Sequence, residues 1–295
     1  MAFRYGHVAL LGRPNVGKST LLNRIVGQKV SIVSQRPQTT RKRVLGIADG
    51  EGYQVVFIDT PGIHEPNNRL GRAMVEAARR ALDGVDLVLF VADGSTMPGD
   101  NDRQIAQWIA ASQLPVLVCL NKMDRLKPEN VQRHVDAYHA LLGTEDSMFT
   151  TATSGHNVDR LMQMIVERMP EGEPRFSSEE YTDQSARFTA AELVREKILL
   201  ATRQELPYST AVMVESWEEE PSGLIRISAS IIVEKEGQKA IVIGQGGKFI
   251  KAVGTAARKE IEELLGHHVF LELHVKVRPD WRMNPRMLQE LEYTD

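Results

Sequence analysis

Apolar positions along the chain follow two different rhythms. Over the first 170 residues, short and nearly continuous apolar runs alternate with segments in which apolar residues recur three or four positions apart. The runs lie at 7–11, 43–49, 53–59, 85–93, 115–121 and 147–151. Runs too continuous to alternate predict strands buried on both faces. The segment from Thr20 (Leu21, Leu22, Ile25, Val26) and those at 69–82, 100–112, 129–142 and 157–168 predict helices. Strand and helix in turn predict an α/β domain over 1–170, a mostly parallel sheet flanked by helices.

The rhythm then breaks. From Met169 the chain is rich in Pro, Gly, Ser and Glu and has no periodicity, which predicts a linker over 171–183. A helical pattern at 187–205 (Phe188, Leu193, Val194, Ile198, Leu199) opens the last part. Alternating segments at 209–215 and 224–234 read as antiparallel strands. An apolar run at 240–243, a Gly-rich turn, a helix at 255–265, a strand at 269–277 and a last helix at 285–293 complete a smaller α+β domain over 184–295.

Composition narrows the setting. The 295 residues are 42% hydrophobic and 25% charged, with a formal net charge of −3, so no global basic field advertises nucleic acid. The single cysteine, Cys119, sits inside an apolar run and reads as a core thiol. No signal-peptide pattern opens the chain, and no apolar run approaches the roughly 20 residues of a membrane span, so the cytoplasm is the expected compartment.

Chemistry gathers where the predicted strands end. The first strand runs into Gly12, Arg13, Pro14, Asn15, Val16, Gly17, Lys18, Ser19 and Thr20, a G-x-x-x-x-G-K-[ST] loop between strand and helix. Its amides and the helix N-terminus suit phosphate, Lys18 the β and γ phosphates, and Ser19 a Mg²⁺ ion. The strand at 53–59 ends in Asp59, Thr60, Pro61 and Gly62, where Asp59 can hold Mg²⁺ and the Gly62 N–H can approach a γ-phosphate. The strand at 115–121 ends in Asn121, Lys122, Met123 and Asp124. The Asp124 carboxylate can accept from guanine N1–H and the 2-amino group, a donor pair that adenine lacks. The Ala152 N–H, after the last strand, would meet guanine O6. The polar segment 31–41 suits a loop ordered by γ-phosphate and Mg²⁺, with Thr40 favoured over Thr39 to complete the metal shell.

Together these strings resemble the Era family of bacterial GTPases. The resemblance implies a GTP-hydrolysing switch whose machinery includes Lys18, Asn15, Thr40 and Gly62. At the position after Gly62, Ile63 offers no side chain to orient water, and the neighbouring His64 reads as a surface residue. Related GTPases use an asparagine at the place of Asn15 to hold K⁺; shaping the turn is the other reading. In the last part, Gly244, Gln245, Gly246 and Gly247 form a G-x-x-G turn followed by Lys248 and Lys251, and the element order resembles a type II KH domain. Residues 180–295 carry 15 Lys and Arg against 19 Asp and Glu, so only a local basic patch can serve RNA. Trp281 and Arg282 would add base stacking, or Trp281 anchors the last helix. The family resemblance implies the 3′ end of 16S ribosomal RNA, 30S subunit assembly and contact with the inner membrane face. A GTPase whose second domain docks on a protein or membrane partner is the alternative.

Overall fold

The computed structural model describes residues 2–63 and 65–294; His64 lies outside them. Two compact units emerge, one of Met1–Val33, Thr40–Asn67 and Gly71–Asp183, the other of Ser34–Thr39, Asn68–Leu70 and Gln184–Asp295.

The first unit is built from β1 (Arg4–Leu11), α1 (Lys18–Val26), β2 (Val44–Gly50), β3 (Tyr53–Asp59), α2 (Arg69–Arg80, whose first two residues group with the second unit), β4 (Leu87–Asp93), α3 (Asp100–Ser112), β5 (Val116–Asn121), α4 (Val131–Leu142), β6 (Ser147–Phe149) and α5 (Val158–Arg168). The strands form one sheet in the order β2-β3-β1-β4-β5-β6. Only β2 runs antiparallel to its neighbour. Alternate residues of each strand feed opposite cores. Val8, Leu10, Leu89, Leu117 and Cys119 pack under α1 and α5, while Leu11, Val88, Phe90 and Val118 pack under α3 and α4. The phosphate loop, Asp59 and Asn121 therefore all stand at the carboxyl end of this parallel sheet, where such folds bind ligands.

The segment read as a linker is pinned to this unit. Gln54, fully buried, accepts from the Arg175 and Phe176 amides and donates to the Phe176 carbonyl. Tyr181 O accepts from Ile47 N, and Thr182 Oγ1 donates to Leu45 O, so this stretch covers the otherwise open edge of β2. Its lack of periodicity reflects an extended chain laid along a sheet edge.

The second unit comprises α6 (Ala186–Ala201), α7 (Leu206–Ser209), β7 (Ala211–Glu219), β8 (Ile225–Val233), α8 (Glu236–Ile243), α9 (Lys248–Leu265), β9 (Val269–Val277) and α10 (Pro285–Glu290). Its sheet has the order β7-β8-β9, antiparallel then parallel. The apolar run at 240–243 is the end of helix α8, too short to show a period. Helix α9 begins at Lys248, directly after the glycines and seven residues before the expected start. Its buried stripe is Val253, Ala257 and Ile261, four residues apart.

Candidate functional site

Glycine geometry shapes the phosphate loop. Gly17 has φ +104, and a β-carbon there would run into Asn121 Nδ2. Helix α1 starts at the next residue and leaves its first amides facing the loop. Lys18 is buried, and its Nζ donates to the carbonyls of Gly12 (2.8 Å) and Arg13 (3.2 Å), spanning the loop. Burial lowers the Lys18 ammonium to about 8, against the opposing pull of Asp59.

Beside it three hydroxyls converge on one carboxylate. Asp59 Oδ2 accepts from Ser19 Oγ at 2.6 Å, Ser31 Oγ at 2.9 Å and Thr40 Oγ1 at 3.4 Å, and Ser19 Oγ lies 2.9 Å from Thr40 Oγ1. Asp59 Oδ1 is buried and has no hydrogen-bond partner among the described residues. Burial raises the Asp59 carboxyl, while Lys18 and the three hydroxyls oppose that rise. A hard oxygen set with an orphaned carboxylate oxygen fits Mg²⁺. Held by Ser19, Thr40 and Asp59, the ion would neutralise charge on the β and γ phosphates. Thr39 is engaged elsewhere: its hydroxyl bonds Ser34 Oγ and the Arg36 carbonyl.

Several predicted contacts act through structure. Thr60 turns its hydroxyl to Leu10 O at 2.7 Å, which fixes the start of the loop before Gly62. Val16 is in the core, and its carbonyl accepts from Asn121 Nδ2 at 2.9 Å. Pro61 is buried, and Pro14 lies against Gly62. Met123 packs into the core under α3 and α4. Ile63 is buried in that same core, so no side chain there orients water.

On the base side, Asp124 presents an exposed carboxylate, and Thr20, Ala152 and Thr153 share a pocket of about 470 Å³ with Arg24 and Lys29. The Ala152 N–H, the group expected to meet guanine O6, donates to Asn121 Oδ1 at 2.9 Å. That bond ties the base loop to Asn121. Thr150 Oγ1 donates to the same oxygen, and Arg24 braces the Ala152 and Thr153 carbonyls.

Three contributors were not read from the sequence. Ser31 holds Asp59. Asp93 holds Lys122 at 2.9 Å, and Lys122 Nζ also reaches the Asn15 carbonyl. Arg24 ties α1 to the base loop. Asp93 had the same signature as Asp59, an acidic residue closing an apolar strand.

In the second unit, Gly244, Gly246 and Gly247 all have positive φ, and Gln245 and Gly246 are exposed. Lys248 and Lys251 are exposed on the first turn of α9. Next to them lies an open groove of about 320 Å³ between α9 (Ile250, Lys251, Gly254, Arg258) and the outer strand β9 (Phe270, Leu271, Leu273). Gly254 keeps it narrow, since a β-carbon would stand 3.3 Å from Leu273 Cδ1. Phe270 is half exposed beneath the Arg226 guanidinium. An apolar groove rimmed by cations beside a glycine turn suits single-stranded nucleic acid.

Trp281 and Arg282 do not join it. Trp281 is fully buried, packs near Tyr293 and donates its indole N–H to Ser209 O at 2.9 Å, so it cannot stack on a base. Arg282 forms a two-pronged pair with Glu234 at 3.0 and 2.7 Å. Both anchor the tail.

Known proteins match both units. Residues 7–122 fit the family model described as 50S ribosome-binding GTPase, and residues 205–282 that of the KH domain. GTPase Era of Geobacter metallireducens is 46% identical over 293 residues, covering 99% of this chain and 98% of that protein. The Heliobacterium modesticaldum GTPase Era is 42% identical over 292 residues, with the same coverage. The chain belongs to the GTPase Era family. As an Era-family enzyme it hydrolyses GTP with Mg²⁺. A solved Era in complex with MgGDPNP and nucleotides 1506–1542 of 16S ribosomal RNA is 40% identical, with a TM-score of 0.96 over 99% of this chain and all of that one. A variant of Aquifex aeolicus Era bound to GDP·AlF₄⁻ is also 40% identical and gives 0.95 over the same shares.

Proposed function

We propose that this chain is a GTP-hydrolysing switch that binds the 3′ end of 16S ribosomal RNA during assembly of the 30S subunit. The observation that carries this reading is the full-length likeness to the Era that holds MgGDPNP and that RNA segment. The glycine turn 244–247 and the groove between α9 and β9 support it. GTP and ribosomal RNA both belong to the cytoplasm, the compartment this reading implies. Among the described residues no helix is long and apolar enough to cross a membrane, so contact with the inner membrane face would be peripheral.

The test is filter binding of the full chain, loaded with a GTP analogue, to a 16S 3′-end RNA over a salt series. Nanomolar to micromolar binding that weakens with salt is expected. No binding at about 50 mM salt overturns the RNA reading and favours a protein or membrane partner.

The proposal extends to K⁺. Asn15 sits in the left-handed region (φ 62) at the exposed rim of the phosphate loop. A monovalent cation there would add positive charge beside the β and γ phosphates, where an arginine finger acts in other GTPases. Hydrolysis should be faster in K⁺ than in Na⁺; equal rates reject the role.

A further inference from the structure

Outside the nucleotide site, the most deeply buried charge in the first unit that the reaction does not use is Asp102, in the first turn of α3. Its side chain is fully buried. Oδ2 accepts from Gly99 N at 2.8 Å and faces Arg13 Nε at 3.6 Å. Oδ1 has no hydrogen-bond partner among the described residues. Asp102 is the N3 residue reaching back to the N-cap Gly99, as in a capping box, and the helix N-terminus itself favours an anion there. An asparagine would still accept from Gly99 N, so what the charge adds is its pairing with a cation, set against the desolvation cost of an ion. Its ion-pair partner is the Arg13 guanidinium of the phosphate loop, with Arg103 on the same helix adding a weaker favourable charge.

Arg13 is part of a closed ring. Its Nη2 donates to Thr96 Oγ1, and Thr96 Oγ1 bonds the Asp93 carbonyl at 3.1 Å. Asp93 Oδ2 pairs with Lys122, whose Nζ reaches the carbonyl of Asn15. The loop 93–99 thus grips the phosphate loop at two points two residues apart, Arg13 by its side chain and Asn15 by its backbone. That loop is itself immobilised from α4: His134 Nδ1 lies 2.8 Å from Gly94 O, and Tyr138 donates to Thr96 O at 3.2 Å. Arg13 also lends its own carbonyl to Lys18 Nζ. A shift of Arg13 therefore moves one of the two carbonyls that aim the Lys18 ammonium.

We propose that Asp102 is a positioning residue for GTP hydrolysis: by holding Arg13 against the 93–99 loop, it fixes the 13–15 half of the phosphate loop in its reactive shape. Donors aimed at developing charge act only when they are held in place beforehand. Asp102 touches neither nucleotide nor metal; it works through Arg13.

Asp102→Asn separates this role from capping, because the amide oxygen still accepts from Gly99 N while the charge is lost. Single-turnover hydrolysis should slow about tenfold, with GDP affinity within about twofold of wild type, a split expected for lost preorganisation. Arg13→Ala should slow it equally, and Arg13→Ala/Asp102→Asn should be no slower than Arg13→Ala alone. Arg13→Lys, which keeps a cation opposite Asp102, should recover part of the rate. Folding of each variant is checked by circular dichroism and GDP binding. An unchanged rate in Asp102→Asn, or losses in the double variant that multiply, would overturn the proposal.

Discussion

Gly62 lies so close to Pro14 that a β-carbon on it would stand 2.6 Å from the Pro14 α-carbon. The loop after β3 thereby touches the phosphate loop backbone to backbone. Gly62→Ala must push the two apart, and overpacking of this kind costs about 1–3 kcal/mol. If that strain falls on the transition state, hydrolysis slows by roughly 10- to 100-fold. Single-turnover rates check this, and a variant as fast as wild type would mean that the contact is not needed in the reaction.

Lys18 makes nucleotide binding depend on pH. Its ammonium titrates near 8 in the fold, against 10.5 ordinarily, because it is buried. Below pH 8 folded and unfolded chains both carry the proton, and the fold bears the desolvation cost. Between about 8 and 10.5 the unfolded chain holds a proton that the folded one lacks, so the nucleotide-free protein gains stability as pH rises. Phosphate requires the ammonium, so affinity for GTP should fall through that window, with proton uptake on binding. Calorimetry at about pH 9 in buffers of different ionisation heat reads that uptake directly. Lys18→Ala should abolish it and cut hydrolysis to background.

Asp93 predicts an effect on nucleotide release. Burial alone would raise its carboxyl, but hydrogen bonds from Ser95 and Lys122 outweigh that and hold it below its ordinary value. With the Lys122–Asp93 pair mostly shielded from solvent, Asp93→Ala frees the Lys122 stem, which the N-K-x-D resemblance expects to cover the base plane. A partly buried pair of this kind contributes about 1 kcal/mol, so fluorescent GDP should dissociate roughly five to ten times faster. An unchanged rate in stopped flow would show that Lys122 is held by the Asn15 carbonyl alone.

Asp124→Asn tests base recognition. The carboxylate can accept two guanine donors, and charge-assisted hydrogen bonds contribute about 1.5–3 kcal/mol each. Guanine nucleotide affinity should fall roughly 10²- to 10³-fold and preference should move toward xanthine, whose O2 accepts from an amide N–H. Retained guanine preference would place recognition elsewhere in the base loop.

The loops at the strand ends were legible because each needs particular residues locally. Gly17 must adopt a left-handed φ, Lys18 must open a helix, and a parallel sheet brings its carboxyl ends together. What escaped depends on partners distant in sequence. Trp281 bonds a carbonyl 72 positions away, and nothing around it says whether the ring faces outward or inward. Arg13 and Thr96 are 83 apart. Helix α8 was not legible because it is eight residues long and ends in four apolar ones, a pattern that fits a strand equally well. The segment 171–183 lacks periodicity, yet Gln54 and the edge of β2 hold it, and neither can be seen in its own composition.

The two readings of the second unit's RNA surface separate on a pair of variants. Among the described residues, apart from its chain neighbours, none comes within 4 Å of a β-carbon at Gly247, so Gly247→Asp fits in space and costs about 1–2 kcal/mol for its left-handed φ. It places a negative charge at the turn beside Lys248, and RNA affinity should fall tenfold or more while GTP hydrolysis is unchanged. Trp281→Phe loses the bond to Ser209 O and some packing, which should lower the melting temperature of this unit by several degrees. At a temperature where both variants are folded, Trp281→Phe should bind the 16S 3′-end RNA like wild type, because the ring never reaches the groove. A larger loss for Trp281→Phe than for Gly247→Asp would return the tail to the binding surface and remove the glycine turn from it.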